Sequence, residues 1–251
     1  MPGPPTTLPR STRELSYRAR YLLNAYPAVY MPVGRLRDRG QPNYLVTRDT
    51  EFVLEGCGRA GSTFAMLAFA SVQPRPVRTV SHTHAAAQVI MAVRWGVPTL
   101  VIVRPPLESA LAHMARRDIA ARPTLVSWIR FHRRILPFRH GFVAVSFADM
   151  TSDFGAVTER VNDAFGTSFG VFHHTPENEA AVFAEIEQRN RSRWGDQMTP
   201  ERARALARPT AERSALKQRL RTQLEVPELA GLRAQAEDLH RTLVGDAAAV
   251  V

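Results

Sequence analysis

The 251-residue sequence is poor in cysteine and lysine, and it has no long apolar run. Its single cysteine, Cys57, excludes a disulfide within the chain and a cysteine-rich metal site. Its single lysine, Lys217, means that almost every basic side chain is an arginine. No stretch is long and apolar enough for a transmembrane helix, and the first residues lack the apolar segment of a signal peptide. We therefore expect a cytoplasmic protein without a membrane span.

The charge of the chain points to an anionic partner. The 33 Lys and Arg residues outnumber the 23 Asp and Glu residues, which gives a formal net charge of +10. A nucleic acid, an anionic membrane surface or a multiply charged small molecule would each complement that charge. The proportions of hydrophobic and charged residues, 45% and 22%, are ordinary for a globular protein, and the length fits one large α/β domain.

Strand-like and helix-like segments alternate along the chain. Apolar and β-branched runs predict strands at 52–55, 78–82, 99–103 and 142–147. Helical patterns follow these runs, at 64–69, 85–95, 107–117, 125–136 and 153–165. This alternation predicts a three-layer α/β fold with a central parallel sheet and helices on both faces. A polar, helical C-terminal extension comes next, with helices at 176–191, from Thr210, and at 227–243.

The rest of the chain completes one predicted domain. We expect residues 1–10, rich in Pro, Gly and Thr, to be disordered. Residues 11–251 are expected to form a single α/β domain, with its core at 50–170 and its C-terminal helices at 176–245. Apolar spacing predicts a further helix at 11–26. The prolines and glycines of 27–48 predict a loop-like connector.

The segment 51–69, EFVLEGCGRAGSTFAMLAF, has the layout of a phosphate-binding loop. A strand leads into a glycine-rich turn, and a helix follows whose first N–H groups and dipole favour an anion. Gly56 and Gly61, followed by Ser62 and Thr63, nearly fit the nucleotide-binding pattern G-x-x-x-x-G-K-[ST]. Ser62 stands where lysine is expected, and the nearest cation is Arg59. A glycine-rich turn without a ligand is the alternative interpretation.

The run Arg59-Ala60-Gly61-Ser62-Thr63-Phe64 resembles the 5′-phosphosulfate loop of sulfotransferases that use 3′-phosphoadenosine 5′-phosphosulfate (PAPS). In that family the loop usually reads Lys/Arg-Ser-Gly-Thr/Ser-Thr-Trp/Phe. The resemblance implies a P-loop-like fold, PAPS as the nucleotide donor, and no required metal. It gives Arg59 a catalytic role, stabilising charge on the oxygen between phosphate and sulfuryl group. It implies that the loop holds the donor through Gly58, Arg59, Ala60, Gly61, Ser62 and Thr63.

Arg104 follows a predicted strand, in Val-Arg-Pro-Pro-Leu-Glu-Ser. This run resembles the 3′-phosphate element of the same family, a strand ending in Arg-Asp/Asn-Pro. There the Arg and a Ser eight positions later hold the 3′-phosphate. In this sequence that later position is Ala112, and the nearest hydroxyl belongs to Ser109. We therefore assign the 3′-phosphate contact to Arg104 and Ser109, with His113 and Arg116 as further candidates.

Two other interpretations concern the cations of this region. Arg104 is also spaced to form an ion pair with Glu108, one helical turn later, instead of binding phosphate. The segment 208–213 carries two arginines and is a further candidate for the 3′-phosphate, as a C-terminal basic loop is in some relatives.

His82 follows a short predicted strand, in Val-Ser-His-Thr-His. Sulfotransferases of this family commonly have Lys/Ser-Thr/Ser-His at this point, and that His is the general base. An acceptor hydroxyl needs a base, and imidazole titrates near neutral pH. We assign this role to His82, with His84 as the competing candidate; if the segment is extended, both rings face the same way. Structural roles are the alternative for both, and no third ligand with suitable spacing suggests a metal site.

Three functions remain as hypotheses. The first is a PAPS-dependent sulfotransferase that moves a sulfuryl group to a hydroxyl or amine by in-line transfer. We expect its acceptor to be a small molecule or a carbohydrate. The second is a P-loop small-molecule kinase or other NTPase, which would need an acidic Mg²⁺ ligand such as Asp149. The third is a non-enzymatic, Arg-rich nucleic-acid-binding protein. Its support is two arginine clusters, at positions 130, 133 and 134 and at positions 202, 204 and 208.

Overall fold

The computed structural model describes residues 10–38, 44–195 and 211–245. The strands in these residues are β1 (Phe52–Glu55), β2 (Thr79–Ser81), β3 (Thr99–Val103) and β4 (Val143–Ser146). The α-helices are α1 (Arg10–Leu23), α2 (Pro27–Asp38), α3 (Ser62–Ser71), α4 (Ala86–Arg94), α5 (Pro106–Arg117), α6 (Ala121–Ile135), α7 (Phe147–Ser152), α8 (Phe154–Phe165), α9 (Pro176–Trp194), α10 (Ala211–Arg221) and α11 (Ala230–Gly245). Short 3-10 helices precede β4 and α11, at Leu136–Gly141 and Pro227–Leu229.

The four strands form one parallel sheet in the order β2-β1-β3-β4. In its register, Phe52 of β1 pairs with Thr79 of β2, and Val53 of β1 pairs with Thr99 of β3. Every residue of β1 and β3 is buried, as expected for strands covered on both faces. The two most apolar strands therefore occupy the middle of the sheet.

Alternate strand side chains enter two cores on opposite faces of the sheet. Phe52 and Leu54 pack into the core formed with α3, α8 and α9. Val101 and Val103 pack into the core formed with α1, α4, α6 and α11. The predicted three-layer α/β fold with a parallel sheet and a helical C-terminal extension is confirmed.

The predicted loop at 27–48 is wrong for its first part, because Pro27–Asp38 is helix α2. Pro27 stands in the first turn, where its missing N–H removes no helical hydrogen bond. Pro32 lies inside the helix, where a hydrogen bond is lost. Tyr30 and Met31 are buried in a third core beside α4, and this burial outweighs the loss.

Some predicted features fall at or beyond the ends of the described segments. The expected disorder of 1–10 lies outside the described residues except for Arg10, the first residue of α1. Thr210 lies outside them too, and α10 begins at Ala211. Asp153 caps α8, since its Oδ1 accepts a hydrogen bond of 3.0 Å from the Ala156 N–H. None of the helices in the described ranges combines the length and apolar character needed to cross a membrane.

Candidate functional site

The strand order creates a crevice at the carboxyl ends of β1 and β3. From β1 the chain runs to β2 on one side and then to β3 on the other, so the connections diverge between these two strands. Open parallel sheets bind ligands at such a switch point. The turn 56–61 follows β1, Arg104 follows β3, and His82 follows β2. Three sequence-predicted elements therefore meet at one edge of the sheet.

The turn after β1 is shaped to present helix α3 to an anion. Gly61 is the residue before α3 and has a left-handed backbone, with φ of 88°, and no side chain caps the helix. Gly56 packs so closely that a Cβ would lie 2.6 Å from the carbonyl oxygen of Ile102. Ser62 begins the helix, and its Oγ is buried without a hydrogen-bond partner among the described residues. A buried hydroxyl beside the first N–H groups of a helix fits a phosphate oxygen.

Arg104 holds the turn in place. Its Nη1 donates a hydrogen bond of 3.0 Å to the carbonyl oxygen of Arg59, and its guanidinium lies 4.3 Å from the centre of the Phe147 ring. Its Nη2 lies 3.8 Å from Oε2 of Glu108, which is the ion pair considered as the alternative. Arg221 of α10 also contacts Glu108, at 3.3 Å. The ion pair with Glu108 is therefore present, and the phosphate role of Arg104 stays a prediction.

Ser109 lies beneath the turn. It is buried, and its Oγ donates a hydrogen bond of 3.4 Å to the carbonyl oxygen of Gly58. The buried ring of His113 contacts the same oxygen through Nε2, at 2.8 Å. Neither Ser109 nor Ala112 is among the described residues that line the clefts above the turn. Arg116, one of the further candidates, lines both clefts.

His82 stands between two hydroxyl groups. Its Nδ1 is 2.7 Å from Oγ of Ser81, and its Nε2 is 3.1 Å from Oγ1 of Thr63, in the first turn of α3. Neutral imidazole has one donor and one acceptor nitrogen, so one hydroxyl donates to the ring and the other accepts from it. Desolvation lowers the pKa of His82, and the charges of Arg189 and Arg116 lower it further. The ring is therefore neutral at pH 7.

Glu55 ties this histidine turn to the end of β1, and the sequence analysis assigned it no role. The side chain is fully buried, and its Oε1 accepts 2.9 and 2.6 Å hydrogen bonds from the Thr83 N–H and hydroxyl. Its Oε2 accepts from the N–H groups of His84, at 3.0 Å, and Gly56, at 3.4 Å. Burial raises the pKa of Glu55 to about 7, although these bonds act in the opposite direction. The feature of the sequence that could have indicated this role is an acidic residue at the end of an apolar strand.

His84 is bonded to the backbone of the turn after β1, whereas His82 contacts two hydroxyl groups. Nδ1 of His84 lies 3.0 Å from the carbonyl oxygen of Gly56, so this nitrogen carries the proton and donates it. Burial lowers the pKa of His84 to about 3. The two rings lie 6.4 Å apart, and both line the clefts.

The backbone around the site is strained. Arg59, His82 and His84 have left-handed backbones, with φ of 71°, 63° and 52°. In the described chain only one other non-glycine residue, Asp118, has a positive φ. Such conformations disfavour side chains with a Cβ, and they concentrate at functional sites. The turn is therefore not extended at His82 and His84, and its curvature brings both rings to the clefts.

Two adjoining clefts open above the turn. The first cleft, of about 420 Å³, is lined by the turn and by aromatic and basic side chains that include Phe64, Arg104, Phe147, Phe183 and Lys217. The second cleft, of about 400 Å³, lies towards α1 and is lined by side chains that include Tyr17, Arg20, His113, Arg117 and Arg189. Arg59, Thr63, His82, His84, Arg116 and Ile186 line both.

Lys217 was noted only as the single lysine of the sequence, yet it lines the first cleft from α10. The feature of the sequence that could have indicated a role for Lys217 is that all the other basic residues, apart from the histidines, are arginines. The segment 208–213, the other C-terminal candidate for the phosphate, lies outside the described residues except at its last positions.

Within the described residues, the features that supported the two alternative functions do not line the clefts. Asp149 is in helix α7, not at a strand end, and it lines neither cleft. Arg134 packs over the Tyr26 ring at 4.6 Å, so part of the first arginine cluster holds α6 to the N-terminal helices. The second cluster, at 202, 204 and 208, lies outside the described residues. Within the described ranges, no group of three or more His, Cys, Asp and Glu side chains could hold a metal ion.

Comparison with known proteins gives little further information. Neither a protein-family model nor a curated protein sequence matches the chain. A search of solved structures matches the mouse sulfotransferase SULT7A1 in complex with PAP, at a TM-score of 0.40 and 11% sequence identity. The similarity covers 74% of this chain and 94% of the mouse chain.

Proposed function

We propose that the protein is a PAPS-dependent sulfotransferase, which transfers a sulfuryl group to a hydroxyl or amine. The observation that carries the proposal is the meeting of the turn, Arg104 and His82 at the switch point of the sheet. A phosphate-binding helix start, a guanidinium and a neutral imidazole then face one cleft. These are the groups that an in-line transfer from a phosphosulfate requires.

The first cleft is the proposed donor site. The N–H groups at the start of α3 and the buried Ser62 hydroxyl would hold the 5′-phosphate. Phe64, Phe147 and Phe183 supply apolar and aromatic surface for the adenine ring. Arg104 and Lys217 line the same cleft and would pair with the 3′-phosphate. Its volume of about 420 Å³ is in the range of ligand pockets.

His82 is the proposed base. When Nδ1–H donates to Ser81, Nε2 is the unprotonated nitrogen, and it points to the Thr63 hydroxyl at the base of the clefts. An acceptor hydroxyl that replaces Thr63 Oγ1 as the hydrogen-bond partner of Nε2 loses its proton to Nε2 while its oxygen forms a bond to sulfur. The bond between sulfur and the 5′-phosphate oxygen breaks, and Arg59 stabilises the charge left on that oxygen. The products are the sulfate ester and 3′,5′-adenosine bisphosphate (PAP).

His84 fits the base role less well. Its Nδ1–H is committed to the Gly56 carbonyl, and burial holds its pKa near 3. An imidazole of such low basicity is a weak proton acceptor in a transition state. His82 has a lowered pKa as well, but its ring is more exposed and its Nε2 faces a hydroxyl rather than the backbone.

Calorimetry with PAP, ADP and 5′-AMP tests the proposal, with and without Mg²⁺. We expect Mg²⁺-independent binding of PAP that weakens sharply when the 3′-phosphate is absent. Ser62→Ala should weaken all three nucleotides, because all of them place a phosphate at the start of α3. Lys217→Gln should weaken PAP more than 5′-AMP, since only PAP carries the 3′-phosphate.

Two results would contradict the proposal. Equal or tighter Mg²⁺-dependent binding of ADP would favour an NTPase. Binding of none of the three nucleotides would mean that the turn serves another ligand or only the fold. Mass spectrometry of acceptors incubated with PAPS then tests transfer itself.

A further inference from the structure

The second cleft is lined by a concentration of arginines. Arg20 of α1, Arg117 of α5 and Arg189 of α9 line the second cleft and not the first. Arg59 and Arg116 line both clefts. Three helices that are distant in sequence thus direct positive charge towards one volume of about 400 Å³.

No acidic side chain of the described residues lines this cleft itself, although Glu185 pairs with Arg189 from outside it. Glu185 pairs with Arg189 at 2.6 Å from one helical turn away, and Asp118 pairs with Arg13 at 2.8 Å. Two arginines of the cleft act on the histidines electrostatically. In addition to burial, the charge of Arg189 lowers the pKa of His82, and the charge of Arg20 lowers the pKa of His84.

The floor of the second cleft carries polar groups that suit an oxygen-rich ligand. Tyr17 and His113 are more than nine-tenths buried and line the cleft. Nδ1 of His113 has no hydrogen-bond partner in the described structure, and because Nε2–H donates to the Gly58 carbonyl oxygen, this nitrogen is an acceptor that suits a hydroxyl group of the ligand. Asn190 adds an amide on the α9 side. Buried polar groups without partners are unfavourable unless a ligand or water satisfies them.

We propose that the second cleft is the acceptor site and that it takes an acceptor carrying its own negative charge, a carboxylate, sulfate or phosphate, beside the reacting hydroxyl. This rests on the proposed sulfotransferase function. The cleft shares His82 and Thr63 with the donor cleft, so an acceptor held there presents its hydroxyl to Nε2. Arg20, Arg117 and Arg189 bind the acceptor's anionic group and leave the donor cleft unaffected.

A matched pair of acceptors tests this directly. p-Nitrophenyl β-glucuronide and p-nitrophenyl β-glucoside differ only at C6 of the sugar, which is a carboxylate in the first and a hydroxymethyl group in the second. Their dissociation constants are measured by calorimetry on the protein saturated with PAP, so that the donor cleft is filled. We expect the glucuronide to bind at least about fivefold more tightly, because charge-assisted hydrogen bonds are stronger than neutral ones. The preference should shrink as salt is raised.

Single substitutions identify the arginines involved. Arg20→Gln, Arg117→Gln and Arg189→Gln should each weaken the glucuronide several-fold and leave glucoside and PAP binding unchanged. Arg18→Gln and Arg191→Gln are matched controls on α1 and α9, since both side chains are exposed and line neither cleft. Circular dichroism confirms that each variant is folded.

The outcomes separate this inference from the proposed function. Equal binding of the two glycosides, no glucuronide binding up to its solubility limit, or loss of preference in the controls alone overturns the anionic-acceptor proposal. Failure of PAP to bind overturns the sulfotransferase function instead. The glycoside comparison on nucleotide-free protein then still reports whether the three arginines form an anion site.

Discussion

At the scale of single residues, the site depends on side chains held in unusual conformations or environments. His82 combines a left-handed backbone, two hydroxyl partners and a lowered pKa. Glu55 is a fully buried carboxyl group with four hydrogen bonds. Each makes a distinct prediction.

Replacing the proposed base should abolish transfer without affecting donor binding. His82→Asn should reduce kcat by at least about 100-fold, the usual contribution of a general base. PAP affinity, measured by calorimetry, should stay at the wild-type value. His173→Asn is the control, because this exposed histidine lines neither cleft. Activity within a few-fold of wild type would rule His82 out.

The pH dependence of wild-type activity offers an independent measurement. The base must be neutral to accept a proton, so kcat falls as the pH drops through the pKa of His82. Because burial and nearby arginines lower that pKa, the acid limb of the pH–rate profile should lie below the ordinary value of 6.5. An acid limb above 6.5 would contradict this assignment.

Glu55 should give the free energy of unfolding a specific pH dependence. Its pKa is about 7 in the folded protein against an ordinary 4.5, so folding favours the protonated form. That contribution is complete below pH 4.5 and is lost as the pH rises through about 7. The stability advantage of wild type over Glu55→Gln should therefore shrink by roughly 2–3 kcal/mol between pH 4.5 and 8. Urea denaturation of both proteins across this range measures it, and a pH-independent difference would contradict it.

At the scale of elements, the strands and the turn could be predicted from the sequence, whereas the contacts between elements could not. β3 is a continuous aliphatic run, and buried parallel strands require such runs, so its bounds were predicted to the residue. Helix α2 was missed because Pro32 and Gly34 oppose a helix locally, and only the packing of Tyr30 and Met31 supports it. The roles of Glu55 and Lys217 depend on which strands and helices become neighbours, which no local pattern encodes.

The turn before α3 should be intolerant of a side chain at Gly61. Gly61→Ala forces a Cβ into a left-handed conformation and places it 2.5 Å from Cε of Met150. Gly96→Ala is the matched control, since Gly96 has φ of 68° and open space around it. Both should lose about 1 kcal/mol or more of unfolding free energy from the backbone. Only Gly61→Ala should also weaken PAP binding, and unchanged affinity would count against the turn as the phosphate site.

At the scale of the whole molecule, three neutral histidines with lowered pKa values make the fold acid-sensitive. Burial lowers the pKa of His84 and His132 to about 3 and that of His113 well below its ordinary value. A lowered pKa contributes stability above 6.5 that is lost as the pH falls. These three groups outnumber Glu55, which acts in the opposite direction.

Equilibrium unfolding should therefore show stability falling steadily below pH 6.5, by up to about 1.4 kcal/mol per pH unit for each histidine. His132→Phe should reduce this slope, because it removes one titrating group while keeping a ring against Trp128. A flat profile between pH 6.5 and 4.5, or an unchanged slope in the variant, would contradict the prediction.

The single lysine has a practical consequence for the whole chain. Because Lys217 is the only side-chain amine in the sequence and lines the first cleft, an amine-reactive reagent modifies the protein at one internal position. Occupancy of that cleft can then be followed by peptide mass spectrometry, without any knowledge of the acceptor. PAP should protect Lys217 from acylation, whereas a ligand confined to the second cleft should not. The extent of labelling at Lys217 therefore reports whether the first cleft is occupied, because the sequence contains no other lysine.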